Sequence, residues 1–158
     1  MTDTDFAQLR TAADYQFGAG AGVALFPPGD CGGLTVRRST GGRPRQILAD
    51  DRRLVSYGTD GRFTLGVAGG RRLQTLEAPA NRVVVADESE PFVRDRKNVF
   101  AKFVREYDPG LRSRDEALVV HERGDLLAVG RVELPATALG DFDSGIAVKV
   151  REGVSTDQ

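Results

Sequence analysis

Arg82-Val83-Val84-Val85, Glu90-Pro91-Phe92-Val93, Asn98-Val99-Phe100-Ala101-Lys102-Phe103-Val104, Leu126-Leu127-Ala128-Val129-Gly130-Arg131 and Gly145-Ile146-Ala147-Val148-Lys149-Val150-Arg151 succeed one another in the second half of the chain. Short apolar runs of this kind, rich in β-branched residues and bounded by turn residues, read as strands. They predict strands at 82–86, 98–105, 115–121, 125–134 and 145–151, with short helices near Ser89–Val93 and Ala136–Phe142. Asp108-Pro109-Gly110 and Arg123-Gly124-Asp125 supply turns, and Pro135, which has no N–H for a ladder, ends the fourth strand. Residues 82–153 therefore predict a mainly β pseudobarrel with two short helices.

Outward from this stretch, Ala78-Pro79-Ala80-Asn81 reads as a short linker, and residues 1–78 as an α+β subdomain. Phe6, Leu9, Ala13 and Phe17 recur at helical spacing, which predicts a helix over Asp5–Gln16 capped by Asp3 or Thr4. A second short helix covers Gly20–Phe26 and is halted by Pro27-Pro28-Gly29. Strands follow at Leu34–Ser39, Arg45–Ala49, Leu54–Tyr57 and Arg62–Val67, separated by Gly41-Gly42, Asp50-Asp51 and Thr59-Asp60-Gly61. Gly69-Gly70 reads as a further turn, before a last helix over Arg71–Glu77.

The 158 residues fit one medium domain or two small ones. No apolar run approaches the roughly 20 residues that cross a bilayer. The start, Met1-Thr2-Asp3-Thr4-Asp5, lacks the basic and apolar regions of a secretory signal, so a cytoplasmic location is expected. One cysteine, Cys31, leaves no internal disulfide, and in its glycine-rich setting it reads as an unreactive loop or core thiol. His121 reads as a strand-end residue rather than a base. The glycine sets 18-20-22, 41-42 and 69-70 lack the context of nucleotide-binding loops, so no mononucleotide site, cofactor or metal is expected.

The net charge is only −1, yet the charges are not evenly spread. Phe92 to Arg114 carries seven cations against three anions, and Arg37 to Arg53 six against two. Local clustering of this kind matters more for phosphate binding than the total does. Arginine outnumbers lysine 19 to 3 and aspartate outnumbers glutamate 15 to 8, a bias that fits either a GC-rich genome or a high-salt cytoplasm.

Strand alternation sorts the candidate residues by face. In 98–105 it places Val99, Ala101 and Phe103 toward a core, with Phe100, Lys102 and Val104 opposite. Lys102 beside Phe100 would join a phosphate contact to a stacking surface. In the last strand Ile146, Val148 and Val150 share the core face, leaving Lys149 and Arg151 outward around Ala147. Arg131 points outward with Leu127 and Val129. Arg94, Arg96 and Lys97 form the densest cation group; Asn98 and Arg112 complete the primary set. Arg37, Arg38, Arg43 and Arg45 flank a glycine hairpin and form a secondary one. The plainer account of each run is a solvated face, with Lys102 extended along apolar surface.

The order of segments from Arg82 to Gly153 resembles the PUA domain, an RNA-binding module, as found at the C-terminal end of archaeal (archaeosine-type) tRNA-guanine transglycosylases. Val99 to Val104 and Leu126 to Gly130 carry that likeness most strongly. The first half is similar to the domain preceding PUA in those enzymes, through Asp14-Tyr15-Gln16-Phe17-Gly18, Gly41-Gly42-Arg43-Pro44-Arg45 and Asp60-Gly61-Arg62-Phe63-Thr64-Leu65. The resemblance implies binding to structured RNA, tRNA foremost, by phosphate contacts and shape around the acceptor end. It also implies a separate tRNA-modifying enzyme as partner.

The catalytic part of such enzymes is another matter. The chain is too short for a barrel of about 250 residues. With one Cys and one His it lacks a Cys-rich zinc site, and the surroundings of Cys31 do not match the reactive Cys motif of the related amidine-forming enzymes. A noncatalytic accessory is expected, the alternative being a protein-interaction subunit of a transglycosylase-like enzyme with little RNA affinity of its own. Two departures stand inside the second half. Arg94-Asp95-Arg96-Lys97 and Arg114-Asp115-Glu116 occupy turns where relatives tend to have glycine. An arginine in left-handed geometry there would cost roughly 1–2 kcal/mol.

Overall fold

The computed structural model describes residues 3–29, 33–139 and 145–155. It divides into two compact units, Met1–Glu77 and Ala78–Gln158. Cys31, and the part of the expected helix beyond Leu139, lie outside the described residues.

In the first unit, α1 (Asp3–Phe17) buries the stripe of Phe6, Leu9, Ala13 and Phe17 that its spacing predicts. Helix α2 (Ala21–Leu25) returns against it, with the Gly22 N–H donating to Asp14 Oδ1 at 2.7 Å. Strands β1 (Leu34–Arg38), β2 (Pro44–Ala49), β3 (Arg52–Tyr57) and β4 (Phe63–Leu65) form an antiparallel meander in chain order. Gln16 extends β4's pairing: it accepts from the Phe63 N–H and donates to the Phe63 carbonyl, both at 2.7 Å. Phe6, Phe26 and Phe63 stack at tilted angles, 6.0 and 5.9 Å between centroids, in the core of this unit.

The last helix departs from the sequence expectation. It is α3 (Val67–Leu73), four residues earlier than predicted, and it contains Gly69 and Gly70 instead of following them. The reason is close approach. A Cβ on Gly69 would stand 2.0 Å from the Leu54 carbonyl oxygen, so only glycine lets α3 rest on the β3 backbone. What reads as a turn signal is a packing requirement.

The second unit is a six-stranded sheet in the order β6-β10-β9-β8-β5-β7. Its strands are β5 (Arg82–Val85), β6 (Val99–Phe100), β7 (Val104–Tyr107), β8 (Glu116–His121), β9 (Leu126–Val132) and β10 (Ile146–Gly153). A 3-10 turn at Asp87–Ser89 leads into α4 (Glu90–Arg94), and another at Ala136–Ala138 follows β9. Only β5 and β8 pair in parallel; the other neighbours are antiparallel. Val83, Val85, Val99, Val119, Leu127 and Val148 are among its buried core.

Two corrections concern strand continuity. The predicted strand 98–105 is split into β6 and β7 by a 3-10 turn at Ala101–Phe103. These pieces sit at opposite edges of the sheet, so the turn between them is where the sheet closes on itself. The Ala101 N–H donates to the Gly145 carbonyl at 2.8 Å, and the Phe103 carbonyl accepts from the Ala86 N–H at 3.0 Å. A straight strand could not reach both edges.

The last strand also loses simple alternation. Ile146 is 37% exposed, whereas both Ala147 and Val148 are buried. Register irregularities between Ile146 and Val148 against β6, and between Val150 and Glu152 against β9, shift the phase. In β9, Leu127 and Val129 are fully buried and only Arg131 is exposed, because that strand is covered on both faces.

Candidate nucleic-acid interface

Helix α4, strand β6 and the Ala101–Phe103 turn enclose an apolar cleft of about 500 Å³. Pro91 starts the helix at a position where a missing N–H costs nothing. The helix then carries Val93 inward and leaves Phe92 62% exposed over the cleft. Phe100, 41% exposed, and Phe103 line the facing side. Ser89 also lines it, its hydroxyl oxygen buried without a hydrogen-bond partner among the described residues. Glu88 is the one carboxylate in the lining, and it turns toward Arg105 at 3.9 Å.

The short link from α4 to β6 carries Arg96, Lys97 and Asn98, and the last two line this cleft. Asn98 has a structural duty, its Oδ1 accepting from the Val150 N–H at 3.2 Å. Arg96 and Lys97 are exposed and have no carboxylate partner among the described residues. Lys102 is exposed too, its Nζ 5.1 Å from the Phe103 ring centroid, within cation–π range. Lys149 points outward from β10, the strand next to β6. Arg112 is exposed in the loop before β8, where its backbone N–H donates to Asp115.

The remaining expected cations are engaged elsewhere. Arg94 holds Glu90 at 2.9 Å and the Val154 carbonyl at 3.1 Å, fastening α4 to the end of β10. Gly153 allows that contact, since a Cβ there would lie 2.1 Å from the Arg94 carbonyl oxygen. Arg131 pairs with Glu133 at 2.9 Å. Arg151, expected outward beside Lys149, is half-buried and donates to both oxygens of Glu116 at 2.7 and 2.6 Å.

In the first unit, Arg38 donates to the Gly42 carbonyl at 2.7 Å, closing its own hairpin. Arg43 donates to the carbonyls of Tyr57 and Gly58 at 3.1 and 3.2 Å and lies over the Tyr57 ring. Arg37 and Arg45 remain exposed on neighbouring strands.

A charged cluster with no counterpart in the sequence reading lies at the far end of β8. His121 closes β8; the Arg123 backbone N–H donates to its Nδ1 at 2.9 Å. That bond leaves the ring proton on Nε2, which faces Asp87 Oδ1 at 2.7 Å and Glu90 Oε1 at 3.9 Å. Asp87, Glu90 and His121 could each offer a metal-ligand atom. However, the Arg123 guanidinium already bridges Glu90, at 2.5 Å, and Asp125. It supplies the positive charge that a cation would bring. Arg123 and Arg94 together hold the Glu90 carboxyl at about 2, well below its ordinary value. His121 and Asp87, and Arg123 and Glu90, lie more than 30 residues apart in the chain, so no local spacing announces these pairs.

Residues 7–79 match the family described as the patch-forming domain C2 of tRNA-guanine transglycosylase, and residues 81–154 match the PUA domain. The chain is 45% identical over 149 residues to a tRNA-guanine(15) transglycosylase of Pyrococcus abyssi, covering 93% of this chain and 24% of that protein. With the Methanosphaera stadtmanae enzyme of the same name it shares 41% identity, over 94% of this chain and 22% of the relative. It thus spans about a quarter of the length of the curated relatives it matches.

Two solved structures share the fold at low identity. A hypothetical protein of Pyrococcus horikoshii OT3 superposes with a TM-score of 0.72 at 21% identity, covering 97% of this chain and 92% of that one. A conserved PUA domain protein from Thermoplasma acidophilum gives 0.70 at 16%, covering 99% and 93%. Residues 81–154 thus match the PUA domain, and the two matched regions together resemble the C-terminal region of the archaeal tRNA-guanine(15) transglycosylases.

Proposed function

We propose that this chain is a noncatalytic, cytoplasmic protein that binds structured RNA, tRNA foremost, through its PUA domain. It serves there as an accessory to the tRNA guanine modification of the archaeosine pathway. The observation that carries this reading is the rim of the α4–β6 cleft. Exposed aromatic rings at Phe92 and Phe100 stand there beside Lys97, with Lys102 over the Phe103 ring and Arg96 next in the chain to Lys97, none of these cations neutralised by a carboxylate among the described residues. Rings stack on bases while unpaired cations hold phosphates. Lys149, on the strand beside β6, and Arg112, in the loop before β8, are further exposed cations without a carboxylate partner among the described residues. The relatives named for action on tRNA support the choice of RNA.

Titration of the protein with bulk tRNA over a series of salt concentrations tests this. Binding should weaken steeply with salt, and Lys97→Ala and Lys102→Ala should each flatten the slope by about one. Absence of salt-sensitive binding to any structured RNA would remove the reading. A protein-interaction subunit is the second reading, favoured by the 62% exposure of Phe92 over an apolar cleft. It predicts co-purification with a transglycosylase that Phe92→Ser abolishes, with little RNA affinity in the isolated chain.

A further inference from the structure

Five non-glycine residues have positive φ among the described residues: Asp50, Asp51, Asn81, Arg96 and Arg114. Asp and Asn tolerate that region through their short polar side chains; arginine has no such compensation. Arg96, at φ 66, is set there by the end of α4. Its N–H donates to the Val93 carbonyl at 3.0 Å, and the next N–H, that of Lys97, donates back to the Phe92 carbonyl at 2.9 Å. This pair of bonds is a Schellman motif with Arg96 at the left-handed position, the one where helices favour glycine. The Arg96 side chain returns nothing to the fold: it is exposed and makes no ion pair or hydrogen bond among the described residues. The backbone thus keeps a strained residue whose side chain the fold does not use, next in the chain to Lys97, which lines the aromatic cleft.

We propose that Arg96 is an affinity-determining residue, a phosphate contact held at the end of α4, beside Lys97, at the expense of stability. The inference rests on the RNA-binding reading and adds to it a trade between grip and strain at one position. Strain retained without structural return is a mark of functional sites.

The test uses the full chain, bulk tRNA and three proteins: the original, Arg96→Gly and Arg96→Lys. Arg96→Gly should raise the thermal denaturation midpoint, since glycine relieves the left-handed backbone. It should also weaken tRNA binding about five- to tenfold at low salt and lower the salt slope by about one. Arg96→Lys, which keeps both charge and strain, should retain the slope and gain no stability. An unchanged affinity and slope in Arg96→Gly would overturn the inference while leaving RNA binding intact. A lowered midpoint in that variant would overturn it too, by showing that the guanidinium serves the helix end. Failure of the original protein to bind tRNA would instead remove the RNA reading and this inference with it.

Discussion

Glu116 is 4% exposed, and the bidentate Arg151 guanidinium is the partner that makes a buried carboxylate tolerable there. Removing one member of such a pair costs far more than the pair contributes, because the other charge stays buried. Arg151→Met is therefore expected to lower unfolding free energy by about 3 kcal/mol, near the lower end for broken buried pairs because Arg151 is itself partly open to water. The salt slope of tRNA binding should stay as it was. Urea unfolding and salt-dependent tRNA titration of the same variant check both halves. This pairing was not legible in the sequence: the residues are 35 apart, and simple alternation puts Arg151 in water beside Lys149. The exposure of Phe100 and Lys102 was legible from alternation, although Lys102 lies inside the 3-10 turn; beyond the turn the alternation fails, because Val104, expected opposite the core, packs against it. Charge type can be read from a sequence, but the partner of a charge depends on the register of strands distant in the chain.

Helix α3 shows the same limit for whole elements. Val67 reads in the sequence as the end of a strand and Gly69-Gly70 as a turn, yet all three lie inside the helix, and β4 ends at Leu65. Alanine is favoured over glycine in a helix interior by about 1 kcal/mol, so propensity alone predicts that Gly69→Ala stabilises. The 2.0 Å approach to the Leu54 carbonyl reverses the sign: overpacking of roughly 1–3 kcal/mol outweighs that gain, leaving a net loss of up to about 2 kcal/mol. Denaturant unfolding decides which effect wins. Helix α4 is anchored differently, by Glu90 between Arg94 and Arg123. Since the Glu90 carboxyl titrates near 2 in the folded protein and near 4.5 when free, its stabilising contribution is complete above about pH 4.5. It disappears as pH falls toward 2. The stability gap between the original protein and Glu90→Gln should accordingly close over that window in urea titrations. A gap independent of pH would show that Glu90 anchors α4 by packing alone.

For the molecule as a whole, a net charge of −1 is compatible with a polyanion partner only if enough cations are left without carboxylates. In the PUA domain, Arg96, Lys97, Lys102, Arg112, Arg114 and Lys149 meet that condition among the described residues. Arg94, Arg105, Arg123, Arg131 and Arg151 are paired. Each phosphate neutralised contributes about 0.7 to 0.9 to the slope of log affinity against log salt. If this domain carries the binding and its ion pairs stay closed, the six unpaired residues limit that slope to roughly 4–5. Arg105 is the first that would add to it, being held only by exposed carboxylates at 3.5 and 3.9 Å, a geometry that contributes little. A measured slope of about 8 or more would require the internal pairs to open on RNA, or the arginines of the first unit to join. Arg37→Ala and Arg45→Ala separate those causes. They lower a large slope only if the first unit takes part, and they leave a slope of about 4–5 untouched if the PUA surface acts alone.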